Sequence, residues 1–157
     1  MVVIEMDNGR IIRIELDPKA APLTAANFEK LVREGFYDGL TFHRIIPGFM
    51  IQGGDPNGNG TGGSKKTIKG EFAQNGFNNP LKHKRGVISM ARTVLPDSAS
   101  SQFFIMHADA PYLDGAYAAF GKVVEGMDAV DEIASVKTGF QDRPVTPVVM
   151  KRVYIEE

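Results

Sequence analysis

Between residues 41 and 106 lies a small set of side chains suited to chemistry that needs no nucleophile and no proton-transfer pair. Arg44 sits in an extended, β-branched run over residues 41–45, and a second run, 49–53, follows across Pro47-Gly48. Period-two alternation puts Met50 and Gln52 on one face of that second run. In residues 102–106 the same alternation sends Phe103 and Ile105 one way and Gln102, Phe104 and Met106 the other. One face fills an interior, which leaves Gln102 and Phe104 on the outside. An outward set of Phe, Met and Gln beside an Arg describes a small apolar pocket rimmed by donors. A guanidinium there is a permanently charged donor of fixed geometry.

Other groupings of reactive types do not hold up. Gly58-Asn59-Gly60-Thr61-Gly62-Gly63 matches the glycine spacing of a dinucleotide-binding loop, but no helical apolar stripe follows to hold a pyrophosphate. Asp55-Pro56-Asn57-Gly58-Asn59-Gly60 begins like a calcium loop, yet its twelfth position is Lys66 where a bidentate Glu is required. His43, His83 and His107 lack metal-ligand spacing, and Ser98-Ala99-Ser100-Ser101 has no nucleophile-elbow pattern. Neither metal nor cofactor is expected.

Composition narrows the setting. The chain has 157 residues and a net charge of −1, which fits one domain, 1–157, with no strong field toward nucleic acid. It has no cysteine, so disulfides and thiol chemistry are excluded, which suits a reducing compartment. The first residues carry acids inside their only apolar stretch, unlike a signal peptide, and no apolar run approaches the ~20 residues of a membrane span. The expected location is the cytoplasm, without membrane contact, and no oligomerisation surface is evident, so a monomer is expected.

The elements that must position Arg44 and its neighbours read mainly as strands. Residues 2–6 and 10–16 form a hairpin, with Asn8-Gly9 supplying the positive φ angles of a tight primed turn. A helix follows, with Thr24 as N-cap, a stripe of Phe28, Leu31 and Val32, and Gly35 as its left-handed C-terminal residue. Six further runs, 41–45, 49–53, 87–91, 102–106, 120–125 and 148–155, bring the strand count to eight. Met127, Val130, Ile133 and Ala134 predict a second short helix. Residues 55–80 read as ordered surface loop. Eight short strands favour a closed barrel or sandwich over a βαβ arrangement.

Tyr37-Asp38-Gly39-Leu40-Thr41-Phe42-His43-Arg44-Ile45-Ile46-Pro47-Gly48-Phe49-Met50-Ile51-Gln52-Gly53-Gly54 resembles the signature of the cyclophilins. Gly70-Glu71-Phe72, Gly86-Val87-Ile88-Ser89-Met90-Ala91, Ser101-Gln102-Phe103-Phe104-Ile105, Leu113-Asp114-Gly115 and Phe120-Gly121-Lys122-Val123 continue the likeness in order. The resemblance implies a mainly β fold, a closed eight-stranded antiparallel barrel capped by two short α-helices. It implies peptidyl-prolyl cis/trans isomerase activity on proline-containing peptides and folding proteins. The competing reading is a proline-peptide-binding module with weak catalysis.

The resemblance also assigns roles. Arg44 carries catalysis with Gln52, Phe49 and Phe104, while Met50 and Leu113 complete the proline pocket and Tyr112 and Tyr117 border it. The backbone of Arg92, following Ala91, holds the residue before proline, and Gln102 borders the neighbouring subsite. Tyr112 stands where many members have Trp and Tyr117 where many have His. Arg92 replaces the more usual Asn, and residues 93–97 look longer than in the common eukaryotic form. Cyclosporin-type inhibitors are therefore expected to bind with reduced affinity.

Overall fold

The computed structural model describes residues 1–157. Eight short runs rich in apolar residues, some alternating and some buried throughout, build the strands: β1 (Val2–Met6), β2 (Ile11–Leu16), β3 (Phe42–Ile46), β4 (Met50–Gly53), β5 (Val87–Met90), β6 (Phe103–Met106), β7 (Ala119–Glu125) and β8 (Met150–Ile155). Two helices accompany them, α1 (Pro22–Arg33) and α2 (Met127–Ala134). All strand pairings are antiparallel, in the order β3-β4-β6-β5-β7-β2-β1-β8.

The expected closed barrel is corrected to an open, curled sheet. Its edge strands, β3 and β8, form no ladder with each other. They meet through one bridge, Thr41 to Val149, and flanking bonds such as Phe42 N–H to Val148 O at 3.0 Å and Met150 N–H to Leu40 O at 2.8 Å. The bonded segment of the seam runs over Leu40–Phe42 and Val148–Met150, so it takes in only the first residue of each edge strand. No helix is long and apolar enough to cross a membrane.

Inside the curl, Ile4, Ile12, Ile14, Phe42, Ile45, Ile51, Phe103, Ile105 and Phe120 form one core with Phe28, Leu31 and Val32 of α1 and Val130 and Ile133 of α2. Phe28 lies 5.1 to 5.4 Å from the rings of Tyr37, Phe103 and Phe120, so α1 is fixed by aromatic packing as well as by area.

Two local expectations change. Thr24 is not the N-cap, because α1 starts at Pro22 after Ala21. Thr24 instead gives its backbone N–H and its hydroxyl to the buried Glu71 carboxylate, each at 2.7 Å, and Leu23 N–H joins at 3.2 Å. The orphan donors of the first turn are thus met by a carboxylate from a distant loop. In the β1–β2 loop only Gly9 has positive φ. Gly9 N–H donates to Met6 O and Met6 N–H to Arg10 O, which describes a turn followed by a glycine bulge rather than a primed two-residue turn.

Residues 55–80 form no strand or α-helix and contain one short 3-10 turn, Ala73–Asn75. Asp55 is buried and accepts the N–H groups of Asn57, Asn59 and Gly60. A Cβ on Gly62 would collide with this carboxylate. Close packing around Asp55, and no nucleotide phosphate, accounts for that glycine.

Candidate active site

Arg44 is exposed on β3 and directly opposite Gln52 on β4, which in turn lies opposite Phe104 on β6. Strand register alone therefore lines up the charge, the amide and the ring on one face. Arg44 Nη1 donates to Gln52 Oε1 at 3.5 Å, Gln52 Nε2 donates to Gln102 Oε1 at 3.0 Å, and Gln102 Nε2 donates to Gly62 O at 2.8 Å. Each amide accepts on one side and donates on the other, which fixes its orientation and leaves Gln52 a second N–H free.

Met50, Phe104 and Leu113 pack with Met106, Val87, Ala110 and Ala119 in a second apolar cluster, separate from the core, with Phe49, Ala91 and Tyr117 on its margin. The outward face is thus less open than the alternation alone suggested, for Phe104 is only 5% exposed and Met50 1%. Those side chains form an apolar floor beside Gln52. Its rim is aromatic. Tyr112 lies 6.1 Å from Phe49, and Tyr117 meets Phe104 edge-on at 5.7 Å. A hollow of about 160 Å³ lies beside this floor, lined by Gln52, Gly62, Ala91, Arg92 and Gln102 among others. All eleven residues singled out in the sequence therefore fall in one connected region.

Arg92 does more than substitute for an amide. Its guanidinium sits 4.8 Å from both the Phe72 and Tyr117 rings and donates to Ala116 O from Nε and Nη2 at 3.0 and 2.6 Å. It wedges the Tyr117 wall in place through cation–π and charge-assisted contacts.

Sequence reasoning missed His83. Buried behind Phe104, its ring stacks on the phenyl at 6.0 Å and 20°. Nδ1 donates to Asp114 Oδ1 at 3.0 Å and Nε2 accepts from the Ser89 hydroxyl at 2.8 Å. The backbone N–H of His83 also reaches Asp114, so one residue ties β5, β6 and the loop carrying Tyr112 and Leu113. Burial pulls the His83 pKa down against the opposing pull of Asp114. Burial raises Asp114, but bonds from the His83 N–H and ring outweigh it and hold the carboxyl below its usual range. The outward alternation of Ser89, on the face of Phe104, was the signal available. His43 is also buried, whereas His107 accepts Gly48 N–H at 2.8 Å beside the pocket turn. No group of three or more His, Cys, Asp or Glu could hold a metal ion.

Residues 1–155 match the family model described as cyclophilin type peptidyl-prolyl cis-trans isomerase. The chain belongs to the cyclophilin family. Over 123 residues, 78% of this chain and 82% of the relative, it is 53% identical to peptidyl-prolyl cis-trans isomerase B of Bacillus subtilis. Over 158 residues it is 46% identical to a peptidyl-prolyl cis-trans isomerase-like 1 of Gibberella zeae, covering 99% of this chain and 95% of that one. A solved cyclophilin-type isomerase of Cryptosporidium parvum, crystallised in the presence of the dipeptide Ala-Pro, superposes with a TM-score of 0.90 at 32% identity over 99% of this chain. The chain is accordingly a peptidyl-prolyl cis-trans isomerase, of a family that binds proline-containing peptides.

Proposed function

We propose that Arg44 catalyses rotation about X-Pro bonds by stabilising the twisted amide, without covalent chemistry. Rotation must break amide resonance, which makes the uncatalysed event slow. In the twisted state the proline nitrogen regains a lone pair able to accept a hydrogen bond. A guanidinium aimed at that nitrogen favours the twisted form over either planar form, and differential binding of this kind is catalysis.

The observation that carries the reading is the placement of Arg44 beside Gln52 at the margin of the Phe49, Met50, Phe104 and Leu113 pocket. In this scheme the pocket grips the proline ring and the free N–H of Gln52 meets the rotating carbonyl. The Arg92 backbone, following Ala91, takes the residue before proline, and Gln102 borders the neighbouring subsite. Bringing a ~100 s event to about 1 ms requires roughly 7 kcal/mol of differential stabilisation. A charge-assisted bond in a water-poor groove, together with orientation by the pocket, is of that order.

The same proposal treats residues 1–157 as one domain, monomeric and cytoplasmic, supported by the cysteine-free composition and the net charge of −1. Unfolded and folding proteins are its clients, and cyclosporin-type macrocycles are ligands of reduced affinity. Exchange NMR on a short Ala-Pro peptide tests the activity directly. Catalytic amounts of protein are expected to produce cis–trans cross-peaks. Shifted resonances without exchange would identify a peptide-binding module instead.

A further inference from the structure

At the β3 edge of the sheet a hollow of about 480 Å³ opens, lined by polar residues and Gly60 and by no apolar side chain. It shares Arg44 and Gln52 with the pocket face and is completed by Gln141, Asp142 and Arg143 of a loop packed against β3.

Three observations set it apart. The first is charge. Of the eight arginines in the chain, four are paired with carboxylates, Arg10, Arg13, Arg33 and Arg85, while Arg92 and Arg152 lie over aromatic rings. The two without an acidic or aromatic partner are Arg44 and Arg143, and both line this hollow. Arg143 spends one donor on Gly58 O, which ties its loop to residues 55–62. Its remaining donors have no partner within the chain.

The second is backbone. Gln141 and Asp142 have φ of 59° and 60°, the only residues other than glycine in the left-handed region. Such conformations are disfavoured for side-chain-bearing residues and concentrate at functional sites. The loop is held there by Gly139 N–H to Arg143 O at 2.8 Å and by a bridge from Thr138 to Pro144.

The third is an unmet polar group. His43 lines the same hollow, is 6% exposed, and neither ring nitrogen has a hydrogen-bond partner. Buried imidazoles are ordinarily satisfied. The nearby acids do not serve it. Asp55 is already engaged by three backbone N–H groups, and Asp142 lies exposed on the rim.

We infer that this hollow is a subsite for an acidic side chain of the peptide, within three residues on the C-terminal side of the proline. The inference rests on the function proposed above. If the Arg92 backbone holds the residue before proline and Gln102 borders the neighbouring subsite, the chain beyond the proline is left with the β3 edge. There two guanidiniums without an acidic or aromatic partner line a hollow that holds one carboxylate, Asp142, and a ligand carboxylate would take up donors the chain leaves idle, with His43 in the wall behind. Arg143 is then a specificity-determining residue, acting on the flanking side chain.

The test compares peptides identical except for Glu, Gln or Lys at one, two or three residues past the proline, with kcat/KM read by exchange NMR. The wild-type protein should prefer Glu over Lys by about fivefold at one of these positions, and 0.5 M salt should shrink the ratio. Arg143→Gln should bring the ratio near one. Arg143→Glu should invert it, an outcome that loss of folded protein cannot produce. Equal turnover of Glu and Lys peptides at all three positions would overturn the subsite, as would a ratio that survives Arg143→Glu. An acidic preference confined to residues before the proline would also overturn it. Absence of turnover for every peptide would overturn the isomerase mechanism beneath it, and so is told apart.

Discussion

Tyr112 is 72% exposed and covers one side of Phe49, so its hydroxyl stands at the far tip of a ring on the pocket rim. A Trp at this position would carry its donor closer to the ring junction, and a rigid macrocycle cannot follow a donor displaced by a few Å. A flexible peptide depends on Arg44 and the apolar floor instead. Tyr112→Trp should tighten cyclosporin by roughly 5- to 30-fold, ~1–2 kcal/mol, and change kcat/KM less than about threefold. Titration calorimetry beside turnover checks this, and equal inhibitor affinity in both proteins would remove Tyr112 from the rim. The side chains around Arg44 were legible because strand alternation is local. The wedge of Arg92 between Phe72 and Tyr117 was not, since those rings are 20 and 25 positions away in sequence and share no periodicity with it.

Among the elements, strands and helices were legible to within a residue or two, because each announces itself by spacing within a dozen residues. The start of α1 was not. Its first-turn donors are met by Glu71, 47 residues from Thr24 and 1% exposed, and no short-range pattern encodes such a partner. Glu71→Ala would leave the Thr24 hydroxyl and N–H buried and unpaired, and should cost about 2–4 kcal/mol by urea unfolding. A loss under about 0.5 kcal/mol would mean that α1 is capped by something else. The open seam between β3 and β8 was equally hidden, because closure is decided by the last pairing in the sheet and by no single strand. The loop that bends Gln141 and Asp142 into the left-handed region carries no glycine at those positions, and so gave no turn signal.

For the molecule as a whole, the buried histidines set how stability follows pH. Burial lowers the pKa of His43, with Asp55 opposing and Arg143 and Arg44 reinforcing, and burial likewise lowers His83. The unfolded chain, whose histidines titrate near about 6.5, binds more protons than the folded one as pH falls. Their contribution is therefore complete above that value and is lost on acidification toward the folded pKa, by at most about 1.4 kcal/mol per pH unit for each. The carboxyls held low, such as Asp55 and Asp114, act only in more acidic solution. The urea midpoint should fall between pH 7.5 and 5.5, and His43→Gln should flatten part of that fall. A midpoint constant over this range would show that neither imidazole is held neutral by the fold.

Every role assigned to the pocket converges on one side chain. Arg44 is exposed, pairs with no acid, and supports no core packing, so its removal should leave folding nearly intact while withdrawing the donor from the twisted amide. The most direct measurement is kcat/KM on a single X-Pro peptide for the wild type, Arg44→Ala and Arg44→Lys, with unfolding curves for all three. Arg44→Ala should lose at least ~100-fold, on the order of 3 kcal/mol of transition-state stabilisation. Arg44→Lys should also be poor, because an ammonium cannot present the planar donor fork. Near-wild-type turnover in both variants, with unchanged stability, would contradict the account.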